Sequence, residues 1–221
     1  MTARREFRLL DRPSARDQLS PDPFYNHRRP VKTRPEGIPH VRSSLGEPAR
    51  RGAGVSDRRL RHADSAAFRH AMRALSSGVA IIACGEGEAR VGCTITSLAS
   101  LSLAPPTLFV CLARSSTTLA GLREERAFSI SLLAARHVAL AHRFSGHGGA
   151  HGARRFDGAQ WITLSTGAPV LADAIAAFDC VVEELIERHS HAIILGAVVS
   201  LREGAAEPAL AHRQGDYSAF A

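Results

Sequence analysis

A chain of 221 residues, 45% apolar and 22% charged, is long enough for one domain of ordinary globular composition. Its net charge of +7 is unevenly placed, because residues 1–62 carry fifteen of the 28 Lys and Arg but only seven of the 21 acids. The rest is nearly neutral, which disfavours a nucleic-acid-binding body, and no run of about 18 apolar residues exists to span a membrane.

Residues 1–62 also hold seven of the eleven prolines and show no apolar period of 2 or 3.6. Such a segment buries too little surface to offset its ordering entropy, so a disordered basic tail is expected before a folded domain at 63–221. A targeting signal is the sharper alternative, since Arg4 and Arg5 sit near the start. No apolar stretch follows them, however, and a start placed too far upstream explains the segment equally well.

Asp64 or Ser65 can cap a helix, and Phe68, Ala71, Met72 and Leu75 follow at the spacing of one buried face. Residues 79–84 form an apolar strand that turns at Gly85 and returns as a second strand over 90–96, a hairpin. Residues 97–103 are small and polar, closed by Pro105 and Pro106, and 107–112 is another apolar strand. Ser115, Ser116, Thr117 and Thr118 open a short helix through Leu119 and Leu122. A strand over 127–133, helical spacing over 136–143 and a Gly- and His-rich loop over 145–155 come next. After a short strand near Trp161, two long strand candidates remain. Residues 174–187 alternate but would also suit a helix, whereas 192–201 is rich in β-branched residues. Short strands without a βαβ rhythm predict a mostly-β barrel or sandwich with a few short helices.

Two stretches could carry chemistry. Gly92 through Ser102 is dense in hydroxyls and backbone amides that can wrap a planar heterocycle, although an edge strand plus turn has the same composition. Ser115, Ser116 and Thr117 at a helix start could hold a phosphate, or one of them could simply cap the helix. His137, His142, His147 and His151 lack metal-ligand spacing and read as exposed loop residues; no metal site is expected. His189 and His191, by alternation, would share one strand face. No Gly-x-Gly-x-x-Gly motif, phosphate loop or Gly-x-Ser-x-Gly elbow is present. Cys84, Cys93, Cys111 and Cys180 have apolar neighbours and no Cys-x-x-Cys spacing, which suits a reduced cytoplasmic protein.

Taken in order, these pieces resemble the flavin reductase-like family, the short-chain reductase partners of flavin-dependent monooxygenases. The likeness is carried by residues 68–72, Ser77-Gly78-Val79, and 92–102 running into Pro105-Pro106. It continues through 128–133, Arg143-Phe144-Ser145-Gly146, Arg155-Phe156, Pro169, Asp179-Cys180, His191 with Gly196, and Gly215-Asp216-Tyr217. It implies an FMN-binding split β-barrel, Greek-key-like, usually a homodimer. The implied activity is hydride transfer from NADH or NADPH to a diffusible flavin, FMN in preference to FAD, which then serves a partner monooxygenase. Carried over, Cys93, Thr94, Ile95, Thr96, Ser97, Ala99 and Ser100 would hold the flavin ring and ribityl chain. Ser115, Ser116 and Thr117 would take the phosphate, Phe144 would lie near the flavin, and His191 and Tyr217 would line the nicotinamide side. The chain departs from the family in having His189-Ser190 where Gly-Asp often precedes the histidine, and His212 where an aromatic residue is frequent. Two other readings fit the same barrel: an oxidoreductase that keeps its flavin, and a non-catalytic flavin- or haem-binding protein.

Overall fold

The computed structural model describes residues 62–220, so the expected tail falls almost wholly outside the described part. Helix α1 (Ser65–Met72) starts where Asp64 caps it, its carboxylate accepting from the amides of Ala66 (3.1 Å) and Ala67 (2.9 Å). The sequence expected this helix to bury an apolar face. Instead no α1 residue is buried, and Phe68 and Met72, with Leu75 just beyond, are 62%, 47% and 57% exposed. The helix leads into the chain ahead of the main sheet, which therefore does not cover it.

Strands β1 (Ser77–Gly78), β2 (Ala80–Cys84), β3 (Val91–Ile95), β4 (Ala99–Leu103) and β5 (Pro106–Ala113) come next.

 

Helix α2 (Thr117–Glu125) precedes β6 (Ala127–Leu132), and α3 (Val138–Phe144) precedes β7 (Trp161–Thr163) and β8 (Pro169–Leu171). The long strands β9 (Ala176–Arg188) and β10 (His191–Glu203), then β11 (Ala209–Arg213) and β12 (Asp216–Phe220), complete the chain. The stretch open to either helix or strand is thus strand. Its partner β10 runs antiparallel to it along nearly its whole length, and that pairing decides what local composition leaves open. Strands β8, β11 and β12 have no counterpart in the sequence reading, being short and lacking a clean alternation.

Seven strands form one antiparallel sheet in the order β3-β2-β6-β9-β10-β5-β4. The two end strands, β3 and β4, are neighbours in sequence and are joined only by residues 96–98. So short a link cannot cross a flat sheet of this width. The sheet therefore curls until its two edges face one another without pairing, which is a split β-barrel.

Burial follows from that curl. Every residue of β2 is buried, because alternate side chains serve two cores. Ala80, Ile82 and Cys84 point into the barrel with Val110, Phe128, Ile130 and Ile194. Ile81 and Ala83 face a second core made with Leu133, Phe144, Phe156 and Leu210. Helix α2 packs on β2 and β3, burying Thr118, Leu119 and Leu122.

Candidate active site

A cavity of about 410 Å³ lies at the split. One wall is Cys93, Thr94 and Ile95 of β3 with Thr96 and Ser97 of the link. The other is Cys111, Leu112 and Ala113 of β5, with Ser116 and His191. Five of the residues expected around the flavin ring thus share one hollow with one of the three expected at its phosphate. Ala99 and Ser100 lie further along, exposed on the edge strand β4, while Ser115 and Thr117 are exposed beside Ser116.

The hydroxyls expected to meet the ring are partly committed elsewhere. Thr94 Oγ1 donates to the carbonyl of Ala141 (2.7 Å), tying β3 to α3. Ser97 Oγ donates to the Cys111 carbonyl (2.8 Å) and accepts from the Cys111 amide (3.2 Å), linking the two walls across the split. What β3 offers a ligand is its backbone, since it has a strand neighbour on one side only. Its course is fixed from behind. A Cβ on Gly92 would stand 2.8 Å from the Ile82 carbonyl oxygen and 2.9 Å from the Phe144 ring. Arg155 Nη1 donates to the Gly92 carbonyl (2.9 Å), and its Nε to that of Ala150 (3.1 Å).

At the other end Ser116 caps α2, its Oγ accepting from the Thr118 amide (3.2 Å). Capping uses one lone pair of the hydroxyl and leaves its proton able to donate, so the capping and phosphate-binding readings are compatible. Outside the cavity Glu187 pairs with Arg114 (2.9 Å) and with Arg123, all three substantially exposed. The Cys93 thiol is pushed up by burial, with the Thr118 and Ser116 hydroxyls and the Arg155 charge acting in the opposite direction.

Three residues sit differently from expectation. Phe144 is 1% exposed and packs in the second core against Phe156 and Trp161, so it supports β3 from behind and does not line the cavity. His191 and Tyr217 are not brought together. His191 lies across from Ala113 and beside Ser116, its Nδ1 2.9 Å from Ser190 Oγ. Tyr217 instead stacks edge-on with His142 and His212 and approaches Ser145 Oγ at 3.3 Å. Nor do His189 and His191 share a strand face, because His189 occupies the tight turn between β9 and β10 with φ 49°. Among the four histidines read as exposed loop residues, His137 is buried: its Nδ1 accepts from the Ala134 amide (3.1 Å) and its Nε2 faces Asp173 (3.2 Å). Among the described residues no group of three or more His, Cys, Asp or Glu is arranged for a metal ion. The β5 wall went unread in the sequence, where it looked like plain apolar strand; only Cys111 broke the pattern.

A small antiparallel barrel, split along one seam and hollow beside a helix N-terminus, defines the class of split-barrel flavin-binding folds. Residues 72–221 match the family model described as flavin reductase like domain, and the chain belongs to that family. It is 40% identical over 139 residues to FMN reductase (NADH) RutF 2 of Methylorubrum extorquens, covering 63% of this chain and 80% of that one. With FMN reductase (NADH) RutF of Ancylobacter novellus it shares 34% over 154 residues, 70% and 84% of the two chains. Among solved structures it is similar to BorF, the flavin reductase component of a bacterial two-component tryptophan halogenase (TM-score 0.66, 26% identity, 71% of this chain and 98% of that one). It also resembles the NADH:FAD oxidoreductase SgcE6 of Streptomyces globisporus (TM-score 0.64, 27% identity, 72% and 88%).

Proposed function

We propose that the protein uses NADH to reduce a diffusible flavin, FMN in preference to FAD, and supplies it to a partner monooxygenase. The observation that carries this reading is the meeting, in one cavity, of an edge strand with free backbone groups and the capped N-terminus of α2. The residues fit the group: β3 can meet the polar edge of the ring, and the α2 amides suit a phosphate. Preference for FMN is supported by the names of the two relatives at 40% and 34% identity, against the FAD enzyme at 27%.

When bound, the flavin supplies the hydride acceptor and the nicotinamide the donor. The protein's own work is to orient two rings and keep water from between them, a proximity effect worth several kcal/mol. A second copy of the chain is proposed to cover Leu101 and Leu103 of β4 with Val181, Val199 and Leu201 of β9 and β10, all exposed in the single chain. Four free cysteines support a cytoplasmic location.

Steady-state NADH oxidation with FMN, FAD and riboflavin in turn tests the reading. The lowest KM is expected for FMN, with flavin lost on gel filtration. No oxidation with any of the three overturns it, and flavin that co-purifies stoichiometrically favours an oxidoreductase that retains it.

A further inference from the structure

A cavity of about 460 Å³ lies between the β2–β3 turn and the β7–β8 pair and shares no residue with the flavin cavity. The turn supplies Glu86 and Arg90 to it, and the strand pair supplies Trp161 and Ile162. The two charged residues flank a single helical turn (Gly87–Ala89), yet they do not pair with one another. Neither side chain has a hydrogen-bond or ion-pair partner among the described residues. The Arg90 guanidinium lies over the Phe156 ring, 4.8 Å from its centroid, and its Nε is buried without a partner. Stacking thus strips water from the group without replacing its hydrogen bonds, a cost that an anion at its outer edge would offset.

The other wall is held firmly. The Trp161 indole N–H donates to the Phe156 carbonyl (2.9 Å), and the two rings pack edge-on at 4.7 Å. Gly167 makes room for the carboxylate, since a Cβ there would stand 2.7 Å from Glu86 Oε1. A simple anion would bind Arg90 but meet repulsion from Glu86, and a simple cation would have the converse difficulty. A ligand that carries both charges satisfies both residues, and the indole and Ile162 suit a flat apolar group joined to it. We propose that this cavity is a separate site for an α-amino acid with a flat apolar side chain. Its carboxylate meets Arg90, its ammonium meets Glu86, and its side chain lies along Trp161 and Ile162.

Trp161 is the single tryptophan of the chain, so its fluorescence, excited where phenylalanine does not absorb, reports occupancy directly. Flavin-free protein titrated with L-phenylalanine should show a saturable change. Binding should be weaker for 3-phenylpropionate, which lacks the ammonium, and for phenethylamine, which lacks the carboxylate. Arg90→Gln should weaken phenylalanine and 3-phenylpropionate about tenfold or more, the loss of a hydrogen bond to a charged group, and leave phenethylamine nearly unchanged. Glu86→Gln should weaken phenylalanine about threefold to fivefold, as for a good exposed ion pair, and should not weaken 3-phenylpropionate. Glu86 is exposed on a turn, so this contrast can be read even if Arg90→Gln fails to fold. The titration involves no turnover, so its outcome is independent of the flavin-reductase reading. Absence of a saturable change in the wild type, or equal weakening of both probes by Glu86→Gln, overturns the proposal. So does fluorescence that follows protein concentration instead of phenylalanine, which would show that a second copy of the chain covers the cavity.

Discussion

Helices α1 and α2 begin alike and are used differently. Each is opened by a short polar side chain that accepts from its first amides, Asp64 in one and Ser116 in the other. Each carries apolar residues at helical spacing. Yet α2 buries Leu119 and Leu122 completely, while α1 leaves Phe68 and Met72 largely exposed. The difference lies in the strands on either side. Helix α2 connects β5 to β6, so closing the barrel presses it onto β2 and β3. Helix α1 precedes the sheet, and among the described residues its hydrogen-bonded tie to the rest is at Arg73, which meets the β11–β12 turn. Periodicity shows that a face can be covered, and topology decides whether this chain covers it.

The largest expected effect breaks that symmetry. Leu122→Ala should cost about 2–5 kcal/mol, the range for deleting a fully buried leucine. Phe68→Ala should stay within about 0.5 kcal/mol, as for a surface change away from special features. Thermal melts of the two variants decide it: equal losses would mean that the α1 face is buried in solution.

A second contrast separates the barrel interior from its rim. Burial, with Glu125 and Cys93 adding to it, holds the Cys84 thiol up at about 12, and burial with Asp179 does the same for Cys180, against an ordinary 9.0. Each folded thiol keeps a proton that the unfolded chain releases above about 9. The stability they contribute is therefore full below that pH and is lost as pH rises towards 12. Melting temperature should fall as pH rises from 9.0 towards about 12, and Cys180→Ala should flatten that fall. An identical slope in the variant would mean that Cys180 is accessible to base.

The same contrast explains what the sequence made legible. The apolar runs of β2, β5 and β10 announce themselves because both of their faces, or one face continuously, are buried. Residues 92–102 and Ser116 stood out because polar residues at a strand end and a helix start are few and their chemistry is local. Closure of the sheet depends on which strands pair across many residues, and so the β5 wall and the separation of His191 from Tyr217 could not be read in advance. Phe144 was misplaced for a related reason: a motif marks position along the chain, not the direction in which a side chain points.

At the cavity itself, Ser116→Ala with Thr117→Ala should raise the KM for FMN about tenfold, the loss of one hydrogen bond to a charged group. Riboflavin has no phosphate to lose, so its KM should hold. Equal effects on both flavins would leave these residues as helix caps alone.

The smallest effects distinguish two histidines two residues apart. His191 borders the cavity next to Ser116, whereas His189 sits in the β9–β10 turn at φ 49°, where its carbonyl lies 3.5 Å from Arg114 Nη1. A neutral hydrogen bond contributes about 0.5–1.5 kcal/mol, so His191→Ala should raise the KM for FMN by roughly threefold to tenfold. It should not alter the melting temperature, because the side chain is exposed. His189→Ala should do the reverse. A left-handed conformation suits Ala poorly, so the turn loosens slightly while flavin binding holds. His189→Gly should restore the melting temperature, since Gly adopts positive φ without a Cβ clash. If His189→Ala weakened FMN binding as much as His191→Ala, the turn and the cavity would be acting as one unit, and the placement of His191 in the flavin site would fail.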